Sequence, residues 1–105
     1  MTLSFKVGII LDYTDKSLNE FFIKIINAYS NVKVATWRCG YACGDHYSWF
    51  VAGYKALTYP HEVTSMRNLN PNVHTDRDTV DKFDLPRATE FVKFCLGFAI
   101  ETANA

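Results

Sequence analysis

A chain of 105 residues suffices for one small domain. Forty-nine per cent of it is apolar and 15% aromatic, which excludes disorder, because such a chain can bury a core. Eleven basic and eleven acidic side chains cancel; with no basic block a nucleic-acid partner is not expected, and with no apolar run near the ~18 residues of a membrane span neither is a membrane.

The N-terminus has no charged start, long apolar core or cleavage site of a secretory leader. Two explanations fit: a cytosolic chain, or one whose natural beginning is missing. Residues 5–11 read as a strand. Phe5, Val7, Ile9 and Leu11 share a face, and Ile10 makes the end apolar on both, as in an interior strand. The polar stretch Asp12-Tyr13-Thr14-Asp15 leads into a helix, where Ser17 and Glu20 have the spacing of a capping box. Leu18, Phe21, Phe22, Ile25, Ile26 and Tyr29 then recur at three- and four-residue steps, and Asn31 is the expected end.

Residues 32–37 read as a second strand and 38–44 as a loop with two close cysteines. Asp45 is placed to cap a short helix through about residue 52, with Gly53 stopping it and Trp49 and Phe50 in the core. Residues 55–59 are the candidate third strand, followed by an irregular stretch over 60–79. Pro86 suits the first turn of a last helix, with Ala88, Phe91, Val92, Cys95, Leu96 and Ala99 as its inner stripe, widened by Phe94 and Phe98, and with Cys95 a buried thiol. The order β-α-β-α-β-loop-α argues for an α/β sheet with largely parallel neighbours.

Two segments are dense in reactive groups. In the first, 39–46, four readings compete: a local disulfide between Cys39 and Cys43, two reduced cysteines packed in a loop, a zinc knuckle of Cys39, Cys43 and His46, and a catalytic thiol served by His46. Asp45 is most simply a helix cap, and His46 a hydrogen-bonding neighbour. In the second, 70–79, His74 is followed by acidic residues, and a carboxylate on one imidazole nitrogen would turn the other toward a metal. One histidine does not make a catalytic zinc site, which needs about three protein ligands.

Taken in order, Cys-Gly-Tyr-Ala-Cys-x-Asp-His-x-Ser-Trp (39–49), Ala-Gly-Tyr (52–54) and Asn-Pro-x-Val-His-Thr-x-x-Asp-Thr (70–79) resemble the C-terminal half of bacterial leucyl aminopeptidase-type exopeptidases. Asp12-Tyr13-Thr14-Asp15 and the closing Phe98-Ala99-Ile100-Glu101 are also similar. The resemblance implies part of a three-layer α/β sandwich around a mixed sheet, with residues 1–105 as a single C-terminal segment of a zinc aminopeptidase catalytic domain. It implies two zinc ions sharing a water in the complete site and a peptide N-terminus as substrate.

Residue by residue, His74 matches the last zinc-binding histidine and Tyr41 a tyrosine that donates a hydrogen bond to the tetrahedral oxyanion. Cys39 and Cys43 match a local disulfide pair. Met66 and Val73 match the pocket for the substrate's first side chain, and His61 falls near a pocket position that is usually apolar. The family's remaining ligands, a histidine, two aspartates and a glutamate, and its general-base glutamate, precede this stretch and have no counterpart here.

The chain is therefore expected to be inactive alone, an incomplete segment of a hydrolase whose partner would be a complementing N-terminal segment. Two other classes compete: a non-catalytic α/β binding module, and a structural zinc protein. A Cys39–Cys43 pair would favour a secreted or vacuolar-type parent enzyme.

Overall fold

The computed structural model describes residues 5–57, 60–63 and 74–104. The run Lys6–Ile10, rich in β-branched residues, forms β1 and is buried along all but its first residue. Such a strand needs neighbours on both edges and cover on both faces, and β1 is the middle of a three-stranded sheet of order β2-β1-β3. β2 (Lys33–Trp37) runs parallel to it, with Val7 opposite Val34 and Ile10 opposite Trp37. β3 (His61–Val63) runs antiparallel, with Lys6 opposite Val63 and Gly8 opposite His61. The sheet is thus mixed, as the resemblance implied. The expected strand over 55–59 is not formed where it can be judged: 55–57 has no strand structure, 58–59 lies outside the described residues, and the third strand begins after Pro60. Pro lacks the N–H that a ladder needs, so pairing starts with the next residue.

A parallel pair requires a crossover, supplied by α1 (Lys16–Tyr29). Its cap is Asp15 rather than the expected Ser17–Glu20 box. One carboxylate oxygen of Asp15 accepts the Leu18 N–H at 2.9 Å and the Ser17 hydroxyl at 2.7 Å. Because Asp15 keeps extended backbone before the first helical residue, its side chain reaches the free N–H groups; Ser17 already lies inside the first turn. These bonds, the Ser17 hydroxyl first and the Leu18 N–H second, hold the Asp15 carboxyl below its ordinary value. The far end closes at Ser30, not Asn31: its N–H donates to Ile26 O at 2.9 Å and its hydroxyl to Glu90 at 3.0 Å.

α2 (His46–Val51) is short, and Gly53 leaves it at φ +96°, in the left-handed region that a glycine enters without strain. Asp45 precedes it but makes no side-chain cap bond. Of this helix only His46 is buried. Trp49 and Phe50, expected in the core, are exposed and meet Tyr54 and Tyr13 edge-on, at 5.7 Å and 5.8 Å between ring centroids.

A single 3-10 turn (Val80–Lys82) precedes α3 (Leu85–Ala103), whose cap is Asp84, accepting the Arg87 N–H at 3.1 Å, with Pro86 in the first turn. The inner face of α3 keeps the three expected phenylalanines but not the rest of the expected stripe. Phe94 and Gly97 are buried and Phe91 and Phe98 pack on the core, whereas Val92, Cys95, Leu96 and Ala99 are exposed. Both sets recur with a helical period. The aromatic set faces inward because it meets aromatic partners: Phe91 stacks on Phe5 (5.9 Å), Phe94 and Phe98 lie edge-on to Phe22 (6.2 and 5.0 Å), and Phe98 also meets Phe21 (6.0 Å). Cys95 is accordingly on the outer face, not buried as expected.

The core lies on one face of the sheet, where Phe5, just before β1, and Val7 and Ile9 of one side of it join Phe22, Ile25 and Ile26 of α1 and Phe94 of α3. On this side Glu62 of β3 is held by the Arg87 guanidinium at 3.0 Å.

Candidate active-site segment

The main chain continues the parallel pairing one residue past β1: Leu11 N–H donates to Trp37 O at 2.8 Å. Asp12 therefore leaves the sheet next to the residues that leave β2, at the carboxyl ends of two parallel strands. Ligands of α/β sheets bind outside such ends, because the loops there diverge and free their side chains. One carboxylate oxygen of Asp12 accepts the Cys39 N–H at 2.7 Å, and the other the Gly40 N–H at 3.1 Å. Gly40 has φ +85°, so this loop passes through a conformation that disfavours other residues.

Cys39 and Cys43 form a disulfide, with Cα atoms 6.3 Å apart. Bonded to each other, neither sulfur is the thiolate that a zinc knuckle or a nucleophile requires, which sets aside the structural-zinc reading in this form of the chain. Tyr41 sits midway in the closed loop and is exposed.

Just after the loop, His46 is buried, with Nε2 3.0 Å from the main-chain oxygen of Asp12. A carbonyl only accepts, so Nε2 carries the proton in this contact. Nδ1 is buried and has no hydrogen-bond partner among the described residues. Tyr13, at φ +56°, turns its ring onto Tyr47 at 4.7 Å. The loop after β1 and the start of α2 are thereby packed together.

The other candidates lie elsewhere or outside the described residues. Met66 and Val73 fall outside them. His61 stands in β3 against Gly8. It also lines a cleft of about 320 Å³ with Glu62, Lys82, Phe83, Arg87 and Phe91. His74 is exposed at φ +61°, a backbone region in which histidine is enriched. Among the described residues no three His, Cys, Asp or Glu side chains gather where they could hold one ion.

The role of Asp12 was not evident in the sequence. The available signal was an acidic residue directly after an apolar strand, and only the strand order shows that it meets the 39–43 loop.

Residues 3–99 match Peptidase family M28. A "Probable leucine aminopeptidase" of Arthroderma otae is 39% identical over 100 residues, covering 95% of this chain and 26% of that protein. Leucine aminopeptidase 1 of Aspergillus oryzae is 37% identical over 99 residues, covering 94% of this chain and 25% of that protein. Among solved structures, the LapA aminopeptidase of Legionella pneumophila superposes with TM-score 0.79 at 40% identity, over 91% of this chain and 25% of LapA. Legionella pneumophila LapB superposes with TM-score 0.78 at 34% identity, over 92% of this chain and 26% of LapB. The relatives are thus fungal as well as bacterial, and this chain spans about a quarter of their length. With nearly all of it matched, in sequence and in fold, the chain belongs to peptidase family M28.

Proposed function

We propose that this chain supplies the C-terminal part of the active site of a zinc-dependent aminopeptidase, which hydrolyses the N-terminal residue from peptides. The observation that carries the reading is the disulfide-closed loop with Tyr41 at its middle, held at the carboxyl ends of β1 and β2. An exposed phenol on a constrained loop can donate a hydrogen bond to oxygen as negative charge develops on a tetrahedral intermediate, the kind of contact that lowers the barrier without taking part in bond making. The family match and the aminopeptidase names of the relatives support the same assignment.

In the complete family site two zinc ions would activate water and polarise the scissile carbonyl. The donors described here do not make such a site by themselves. His74 would enter it as one ligand, with the others contributed by a complementing N-terminal segment. Val73 and Met66 would line the pocket for the first side chain of the substrate, with His61 at its margin. A disulfide at Cys39 and Cys43 suits a secreted or vacuolar-type parent enzyme.

The test is hydrolysis of a leucine anilide by the 105-residue chain, alone and mixed with the N-terminal three quarters of a related leucine aminopeptidase, with and without zinc. The expected result is release of anilide only from the zinc-loaded mixture, abolished by His74→Ala and lowered about a hundredfold or more by Tyr41→Phe. Turnover by the purified chain alone would overturn the division of ligands, and a mixture indifferent to His74→Ala would overturn the metal assignment.

A further inference from the structure

We infer that Asp12 is the positioning residue for Tyr41, acting through the main chain of the disulfide loop; this rests on the role given to Tyr41 above. The disulfide joins two residues of the same loop, so it fixes the loop's shape and leaves its orientation on the sheet free. Orientation is set by contacts between the loop and something outside it. Asp12 supplies them on both flanks.

Before Tyr41, its two carboxylate oxygens each accept one of two successive main-chain N–H groups, Cys39 at 2.7 Å and Gly40 at 3.1 Å. Hydrogen bonds to an ionised carboxylate are shorter and stronger than neutral ones, and two from one planar group fix direction as well as distance. After Tyr41, the main-chain oxygen of Asp12 takes the Nε2–H of buried His46 at 3.0 Å. That is the one hydrogen bond the His46 ring makes among the described residues, its other nitrogen being buried without a partner. Asp12 is itself held to the sheet by the Leu11 N–H to Trp37 O bond beside it. The chain of contacts thus runs from the sheet through Asp12 to residues 39, 40 and 46, which bracket Tyr41. Asp12 has no contact with substrate in this scheme and is not a catalytic residue.

The experiment has two readouts. In the 105-residue chain, amide hydrogen exchange at Cys39 and Gly40 is followed by NMR in the unsubstituted protein, Asp12→Asn and Asp12→Ala. Asn offers one oxygen and sets its NH2 against the other main-chain N–H, so it loses one bond, whereas Ala loses both. The expected result is exchange faster by about tenfold or more at both amides in Asp12→Ala and at one in Asp12→Asn. Val7 and Ile9 amides should stay protected, showing that the sheet is intact. In the zinc-loaded mixture with the complementing segment, Asp12→Asn should lower kcat by about ten- to a hundredfold with KM little changed. Combined with Tyr41→Phe, it should lower kcat no further than Tyr41→Phe alone, because the two act on one contact.

Unchanged exchange at Cys39 and Gly40 overturns the inference, and so do Asp12 and Tyr41 effects that multiply. If Tyr41→Phe itself turns over normally, the role of Tyr41 fails and the positioning role falls with it. If Tyr41→Phe is impaired while Asp12→Asn is not, only the inference about Asp12 fails.

Discussion

Gly8 and His61 face one another across the β1–β3 pairing, and the imidazole fills the space where any side chain on Gly8 would stand. A Cβ built there would lie 2.5 Å from His61 Cε1 and 2.8 Å from Val63 Cγ2. Glycine in the middle of a central strand is otherwise a poor choice, since replacing it with alanine would stabilise by roughly 0.5–1 kcal/mol through the unfolded chain. Here the clash outweighs that gain. Gly8→Ala is expected to destabilise by about 1–3 kcal/mol, read from the midpoint of urea unfolding. Gly97→Ala meets a similar obstacle between α1 and α3. Its Cβ would lie 2.6 Å from Tyr29 Cδ2 and 3.0 Å from Cγ, near the root of a ring whose hydroxyl donates to Glu101 at 3.1 Å. The gain in helix propensity, about 1 kcal/mol, offsets only part of the loss, and the change should destabilise by about 1 kcal/mol.

The two faces of α3 make opposite predictions. Phe94 is fully buried against Phe22 and Phe91, so Phe94→Ala should destabilise by about 3–5 kcal/mol. Leu96, one of the residues that periodicity alone places inside, is 57% exposed. Leu96→Ala should stay within about 0.5 kcal/mol of the parent chain. Chemical denaturation of both variants checks the assignment of faces, and a large effect at Leu96 would reverse it.

The cysteines should differ in reactivity. Alkylation of the folded chain is expected to modify Cys95 alone, and to modify all three after reduction. Partial loss of water around its sulfur pushes the Cys95 thiol up, so labelling should be slow near neutral pH and speed up in alkali. Closing a loop as short as 39–43 removes little unfolded-state entropy, worth about 2 kcal/mol. Reduction should therefore lower stability by that order without unfolding the chain, with mass spectrometry counting the labels and circular dichroism following the fold.

Acid should weaken the two ends of α1. The Asp15 carboxyl is held below its ordinary 3.8, first by the Ser17 hydroxyl, and that of Glu90 below 4.5, first by the Lys93 ammonium, with Ser30 also contributing. A depressed folded value means that the contribution is present in full above the ordinary carboxylate value. It is lost as pH falls through the folded one. Urea midpoints measured downward from about pH 6 should therefore hold steady and then fall below the ordinary carboxylate range. Asp15→Asn keeps a capping oxygen but does not titrate, so part of the acid slope should vanish in that variant.

Much of this organisation was legible from residue order. Alternating and continuous apolar runs mark β1, β2 and α1 because burial selects side chains at fixed spacing, and the ordered motifs around Cys39, Tyr41 and His74 carry the family resemblance without any coordinates. The rest depends on what each segment meets. The Ser17–Glu20 spacing was a sound capping pattern, but extended backbone at Asp15 put a better acceptor two positions earlier. Val92 and Leu96 have the right period for a core, but the rings of Phe5, Phe21 and Phe22 select Phe91, Phe94 and Phe98 instead. The sequence alone determined which residues could pair, cap or bury. Only the tertiary structure decided that Asp12, 27 positions before Cys39, reaches that loop, because a parallel sheet joins strand ends that are distant along the chain, and local spacing has no measure of that distance.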